Sequence, residues 1–231
     1  MDTKLEIAKN WLPRYTGMPL EKFGDHILIT NFKDYITKFA ERFSVEIYGE
    51  GRAMQASTNN DGLTIINYGI GSPNAATIMD LLVAVNPKGV LFLGKCGGLK
   101  DSSEIGNFIL PIGAIRGDGT SNDYFPPEVP ALPSFKLHKF VSDIIVQEKS
   151  DYRTGVIFTT NRRVWEHDKD FLERLKKTWM AHQNTDVIFI SALKKKNIPE
   201  FKDLVYNKVR EIHERIYPYN NFLYPDIPEE S

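Results

Sequence analysis

Short apolar runs recur along the chain, each leaving into a glycine-rich or polar turn and then into apolar residues spaced three and four apart. Ile27–Thr30, in HILITN, predicts a first strand, and Phe32, Tyr35, Ile36, Phe39 and Phe43 follow it at helical spacing. Arg52–Ser57 predicts a short strand, and Leu63–Asn67 a stronger one that enters Tyr68-Gly69-Ile70-Gly71-Ser72-Pro73. Ser72 is the expected N-cap, with Pro73 at the first helical position. Ile78, Leu81, Leu82 and Val85 then mark a helix ending at Asn86-Pro87. Val90–Leu93 is wholly apolar, which reads as a strand buried on both faces, and it breaks into Gly94-Lys95-Cys96-Gly97-Gly98. Phe108–Ile115 predicts the next strand; it opens into the polar loop Arg116–Tyr124 and the proline-rich PPEVPALP. Leu137, Phe140, Val141, Ile144 and Ile145 predict a helix, Tyr152–Phe158 a strand leaving through Thr159–His167, and Asp168–Lys177 a short charged helix.

After Met180-Ala181 the chain changes character. Val187–Ile190 predicts a strand ending in Ser191-Ala192, and the triplet Lys194–Lys196 leads to a long helix. Asn197 is its expected N-cap with Glu200 as capping-box partner, and Ile198, Phe201, Leu204, Val205, Val209, Ile212 and Ile216 form its apolar stripe. Tyr217–Ser231 is aromatic and proline-rich without periodicity.

Strands alternating with helices predict an α/β fold, three-layered, with a twisted mixed sheet between helices. The glycine turns at 69–71 and 94–98 each leave a strand's carboxyl end, where open α/β sheets bind ligands. In the first of them a helix start beside the turn offers free N–H groups to an anion. Two nucleotide motifs are excluded. Gly89–Cys96 fits the spacing G-x-x-x-x-G-K but carries a cysteine where magnesium needs a hydroxyl, and its intervening residues belong to a strand. The run from Gly69 carries Asn74 and no third glycine, so a dinucleotide fingerprint is not satisfied. Arg162-Arg163, beside hydroxyls and an amide, are suited to an anion.

Composition narrows this picture. A formal net charge of −1 over 231 residues gives no basic field, so no nucleic-acid partner is expected. The lone cysteine, Cys96, rules out an intramolecular disulfide and suits a reducing cytoplasm. MDTKLEIAKN has no apolar signal core and no apolar run approaches ~18 residues, so neither a signal peptide nor a membrane span is expected. Five histidines show no metal-ligand spacing, and no metal is expected.

Five stretches, NWLPRYTG (10–17), NYGIGSPNAATIMDLL (67–82), LFLGKCGGLK (91–100), IRGDGTSNDYFPPEVPALP (115–133) and FTTNRRVWEHD (158–168), together resemble the nucleoside phosphorylase and nucleosidase superfamily. Within it they are most similar to the short, single-domain AMP nucleosidases. The resemblance covers residues 1–181 and implies hydrolysis of AMP to adenine and ribose 5-phosphate, without a cofactor, by a homo-oligomer. It implies that Gly69, Ile70, Gly71, Lys95, Cys96 and Gly97 line the sugar-phosphate side and that Thr120, Ser121 and Asn122 hydrogen-bond the substrate. Phe158 matches the position that packs on the base, Arg162 and Arg163 are assigned to the 5′-phosphate, and Asn161 is counted among the substrate-binding residues.

The match then stops. The family continues Val-Asp-Met-Glu-Thr, whose glutamate holds the ribose hydroxyls, and a later aspartate protonates the purine; here no glutamate lies between His182 and Pro199, and Asp186 begins a strand of different character. No catalytic acid is therefore assigned. Instead, Lys177–Ala181, Val187–Ala192, Asn197–His213 and Tyr217–Tyr224 resemble the C-terminal end of HflX-type ribosome-associated GTPases, making 182–231 a segment of separate origin. That family's phosphate loop, switch regions and Asn-Lys-x-Asp motif are absent. Two other readings follow: a non-catalytic nucleotide-binding fusion, or a GTPase-related ribosome partner.

Overall fold

A computed structural model of the chain describes residues 3–98, 103–161, 168–171, 173 and 198–216. It divides into two compact units, Met1–Leu172 and Glu173–Ser231. The predicted strand 187–190, the cap at Asn197, the lysine triplet, the tail from Tyr217 and most of the helix predicted over 168–177 lie outside the described residues.

The first unit begins with a helix that apolar spacing alone did not announce, α1 (Lys4–Thr16). Thr3 and Glu6 cap it reciprocally: the Glu6 amide donates to Thr3 Oγ1 at 3.2 Å, and the Thr3 amide donates to Glu6 Oε2 at 2.6 Å. These bonds hold the Glu6 carboxyl below its ordinary pKa, the Thr3 amide being the largest cause. Gly17, at φ 73°, ends the helix in the left-handed region.

β1 (His26–Thr30) follows, then α2 (Lys33–Phe43), β2 (Gln55–Thr58), β3 (Leu63–Asn67), α3 (Ser72–Leu81) and β4 (Gly89–Leu93). The sheet order is β2-β3-β1-β4, with β1, β3 and β4 parallel and β2 antiparallel to β3. Because successive side chains face opposite sides of a sheet, one strand feeds two cores. Ile27, Ile29 and Ile66 join Leu12 of α1 and Ile78 and Leu81 of α3 on one face; Leu28 and Ile65 meet Ile36 and Phe39 of α2 on the other. This is the three-layer, mixed-sheet arrangement expected from the sequence.

Two local expectations are corrected. Val90–Leu93 is not buried on both faces: Phe92 is 51% and Leu93 38% exposed. β4 pairs with β1 alone among the described residues, so one edge has no strand to cover it. An apolar run fixes a strand's tendency, but its neighbours decide its burial. The cap of α3 is Gly71 rather than Ser72, at φ 107°, and no side chain caps the helix. A non-glycine residue rarely adopts this backbone, so glycine makes the sharp entry and Ser72 becomes the first helical residue.

β5 (Phe108–Gly117), α4 (Phe135–Gln147) and β6 (Tyr152–Thr160) complete the unit. β5 and β6 form a separate parallel pair whose register shifts between Pro111 and Gly113. The parallel pairing requires a crossover, which α4 supplies. In the second unit, α5 (Ile198–Ile216) carries its predicted stripe, with Phe201, Val205, Val209 and Ile212 exposed.

Candidate functional site

Three parallel strands end at one edge of the first sheet. Thr30 of β1 lies in register with Asn67 of β3 on one side and Leu93 of β4 on the other. The chain leaving β3 is Tyr68-Gly69-Ile70-Gly71, and the chain leaving β4 is Gly94-Lys95-Cys96-Gly97. Six residues singled out in the sequence (Gly69, Ile70, Gly71, Lys95, Cys96 and Gly97) therefore flank the exit of β1.

The glycine turn is built by its own bonds. The Tyr68 amide donates to Thr30 O at 3.0 Å, and the Gly69 amide to Asn67 Oδ1 at 3.2 Å. Asn74 Nδ2 reaches back to Ile70 O at 3.2 Å, while Ile70's own side chain stands 80% exposed. Gly69 at φ 78° and Gly71 at φ 107° make the tight reversal at the start of α3. Burial raises the Tyr68 phenol above its ordinary pKa, so it stays a neutral hydroxyl at neutral pH.

Across β1, the Lys95 ammonium lies 4.5 Å from the ring centroid of Phe32 and 5.5 Å from that of Tyr35. Cys96 is an exposed free thiol. The exit of β1 itself contributes a further group. Asn31 Oδ1 is shielded from solvent and accepts no hydrogen bond among the described residues, an arrangement that is costly unless something else donates to it. Its position directly after a strand that enters a helix was the available signal.

The remaining described candidates gather where β5 and β6 end, with Arg116 paired to Thr159 and Gly117 to Thr160. Thr120, Ser121 and Asn122 form a single 3₁₀ turn with Asp123. The Ser121 amide and hydroxyl donate to the Asp118 carboxylate at 3.2 and 3.0 Å. Arg116, expected from the sequence only as the first residue of the polar loop, stands on β5 and staples that loop: its guanidinium donates to Ser121 O at 3.0 Å, Phe125 O at 3.1 Å and Pro126 O. Asn161 Nδ2 donates to Asp118 O, joining the end of β6 to that of β5. Phe158 meets Phe171 edge-to-face at 6.3 Å. Arg162 and Arg163 lie outside the described residues.

The two groups communicate through α3. The Thr120–Asp123 turn packs against this helix, and Tyr124 Oη donates to Asp80 Oδ2 at 2.9 Å. Asp80 also accepts from Lys4 Nζ at 3.5 Å. The hydrogen bond to Asp80 raises the Tyr124 pKa. No group of three or more metal-ligating side chains occurs among the described residues, and no described helix is long and apolar enough to cross a membrane.

Residues 25–188 match the model of the phosphorylase superfamily. The chain belongs to that superfamily. The crystal structure of an AMP nucleosidase from Bacteroides thetaiotaomicron is similar at a TM-score of 0.74 and 55% identity, covering 76% of this chain and 77% of that one. The AMP nucleosidase of Escherichia coli K12 is 29% identical over 200 residues, 67% of this chain but 41% of that protein, so the chain spans about two-fifths of that relative's length. A GTPase HflX from Flavobacterium psychrophilum is 52% identical over 61 residues, 25% of this chain and 14% of that protein. The superfamily chain thus has the nucleoside phosphorylase-like α/β fold with a mixed sheet.

Proposed function

We propose that residues 1–181 form an AMP nucleosidase-type N-glycosidase site and that 182–231 are a segment of separate, GTPase-like origin. In the reaction the oxygen of water bonds to the anomeric carbon and gives up one proton, the C–N bond breaks with its electron pair passing to the purine, and one proton is taken up by a purine nitrogen, so that the proton count is unchanged. The observation that carries this reading is the shared edge of the first sheet, where the glycine turn after β3 and Lys95 after β4 flank β1. Small residues there let a sugar approach the backbone, Lys95 supplies positive charge, and the unpartnered Asn31 Oδ1 suits a ribose hydroxyl. Thr120, Ser121 and Asn122, held by Arg116 and Asp118, would contact the nucleoside and Phe158 its base, Asn161 would also contact the substrate, and Arg162 and Arg163 would share its phosphate with Lys95. The similarity to two AMP nucleosidases supports AMP as the ligand. The apolar surface of β5 and α4 supports a homo-oligomer.

Turnover is expected to be poor, because no glutamate lies between His182 and Pro199, and the only acid there, Asp186, opens a predicted strand unlike the family's continuation. General acid catalysis contributes about 10²–10⁴-fold, so adenine release from AMP should run at least about a hundredfold below an intact superfamily AMP nucleosidase. Replacing residues 182–231 with the family's Val-Asp-Met-Glu-Thr segment and the sheet beyond it should restore it. Release by the unmodified chain at the intact enzyme's rate would overturn this account of the missing acids. The same absence favours a second reading, a nucleotide-binding protein without catalysis. Calorimetry with AMP under conditions of no measurable adenine release separates the two from a chain that binds neither AMP nor adenosine.

A further inference from the structure

We propose that Phe32 and Tyr35 are positioning residues that hold the Lys95 ammonium at the carboxyl edge of the first sheet, where it receives a ligand's phosphate. The inference rests on the reading of this edge as a nucleotide site and adds to it how the cation is placed and why phosphorylated ligands are preferred. Lys95 is an exposed lysine in a glycine-flanked loop, and a four-carbon stem there has many conformers. Yet its Nζ lies over two rings at once, 4.5 Å from Phe32 and 5.5 Å from Tyr35, and the rings meet edge-to-face at 5.8 Å.

The rings stand on fixed elements. Phe32 is the cap residue of α2, the Tyr35 amide donates to Phe32 O at 3.2 Å, and Tyr35 packs against the Ile36–Phe39–Ile65 core. The juxtaposition follows from strand order: Thr30 and Leu93 are in register, and Phe32 and Lys95 each lie two residues further on.

The choice of partner determines the consequence. A carboxylate would orient the ammonium and also cancel its charge, whereas an aromatic face attracts the cation through its quadrupole and leaves the net charge intact. Among the described residues Lys95 makes no ion pair, and its exposure leaves N–H donors turned away from the rings. A dianionic phosphate arriving at this edge meets a cation already ordered and not neutralised, so less freedom is lost on binding.

The test uses the intact chain with formycin A and its 5′-monophosphate, whose carbon–carbon glycosidic link resists hydrolysis. By calorimetry the monophosphate should bind more tightly. Lys95→Met should remove about tenfold or more of that preference, the effect of losing a charge-assisted hydrogen bond. The double variant F32L/Y35L should lower the preference about two- to fivefold, Y35F should retain it, and in the Lys95→Met background the ring substitutions should change nothing. Proton NMR of the unsubstituted chain gives a readout that does not depend on any variant folding: the Lys95 side-chain methylene signals should be shifted upfield by the rings. Equal affinity of the intact chain for both ligands would overturn the nucleotide reading and this inference with it. A preference that survives undiminished in folded F32L/Y35L or Lys95→Met, or the absence of the upfield shift, would overturn this inference alone.

Discussion

The two sheets of the first unit follow the same grammar of strand, turn and helix but differ in how much they bury. In the four-stranded sheet Ile27, Ile65 and Ile66 are almost wholly enclosed, with α1 and α3 on one face and α2 on the other. In the two-stranded sheet the most enclosed large side chain among the described residues is Leu110, still 9% exposed, while Phe108, Ile112, Phe135 and Phe140 stand 47–81% exposed on β5 and α4. Periodicity builds elements locally, but burial requires a second layer on each face. The candidate site straddles this difference. Its glycine turn and Lys95 rest on the enclosed sheet, while Thr120, Ser121, Asn122, Phe158 and Asn161 rest on the open one, braced by Arg116 instead of by a core.

Truncating a core side chain should show the contrast at its largest. Ile66→Ala removes a side chain with no exposed surface and should cost about 2–5 kcal/mol, read as a fall in the urea midpoint. Arg116→Met comes next: Phe125 O loses its donor, while Ser121 O and Pro126 O lose a charged donor but keep backbone amides, and we expect about 1–3 kcal/mol with amide exchange quickening over residues 118–126. If exchange there is unchanged, the loop is held by something other than its arginine. Phe140→Ala, at 61% exposure, should cost less than about 1 kcal/mol. A loss as large as that of Ile66→Ala would mean that α4 is covered in solution, and light scattering on the same sample would then report a species larger than the monomer.

The smallest effect concerns a surface pair beside the enclosed sheet. Asp25 accepts from Lys88 at 2.5 Å, and that bond, with the charge behind it, holds the Asp25 carboxyl below its ordinary pKa. A depressed carboxyl contributes stability above its unfolded pKa, about 3.9, and loses it as pH falls through the lower folded value. Lys88→Met should therefore narrow the stability gap to the unsubstituted chain only below about pH 4, and only slightly, because the pair is exposed. An equal difference at pH 3 and pH 7 would show that the substitution acts through something other than this charge.

Much of the first sheet was legible because its strands are short apolar runs and its helices carry clean three-and-four spacing. α1 was missed although Thr3 and Glu6 stand at capping-box separation, since Pro13 and a mixed apolar pattern obscure the helix. The order β2-β3-β1-β4 could not be read, because pairing β1 between β3 and β4 joins positions far apart in the chain. For that reason Lys95 was legible as a candidate while Phe32 and Tyr35 beneath it were not. Ser121 was likewise legible, but its hydroxyl's commitment to Asp118 and the role of Arg116 depend on how the loop folds back.

The bond from Tyr124 to Asp80 has a kinetic side. It is the loop's one side-chain hydrogen bond to α3 among the described residues, made to a carboxylate that Lys4 also holds. A bond to a charged group that is as exposed as this one contributes about 1 kcal/mol or less, which corresponds to an unlatched population on the order of 10% or more. Loop fluctuations of this kind run from nanoseconds to microseconds, so the turn bearing Thr120, Ser121 and Asn122 would swing away and return many times within a millisecond. The raised Tyr124 pKa keeps the phenol protonated through neutral pH, so this flicker should be set by temperature and be indifferent to physiological acidity.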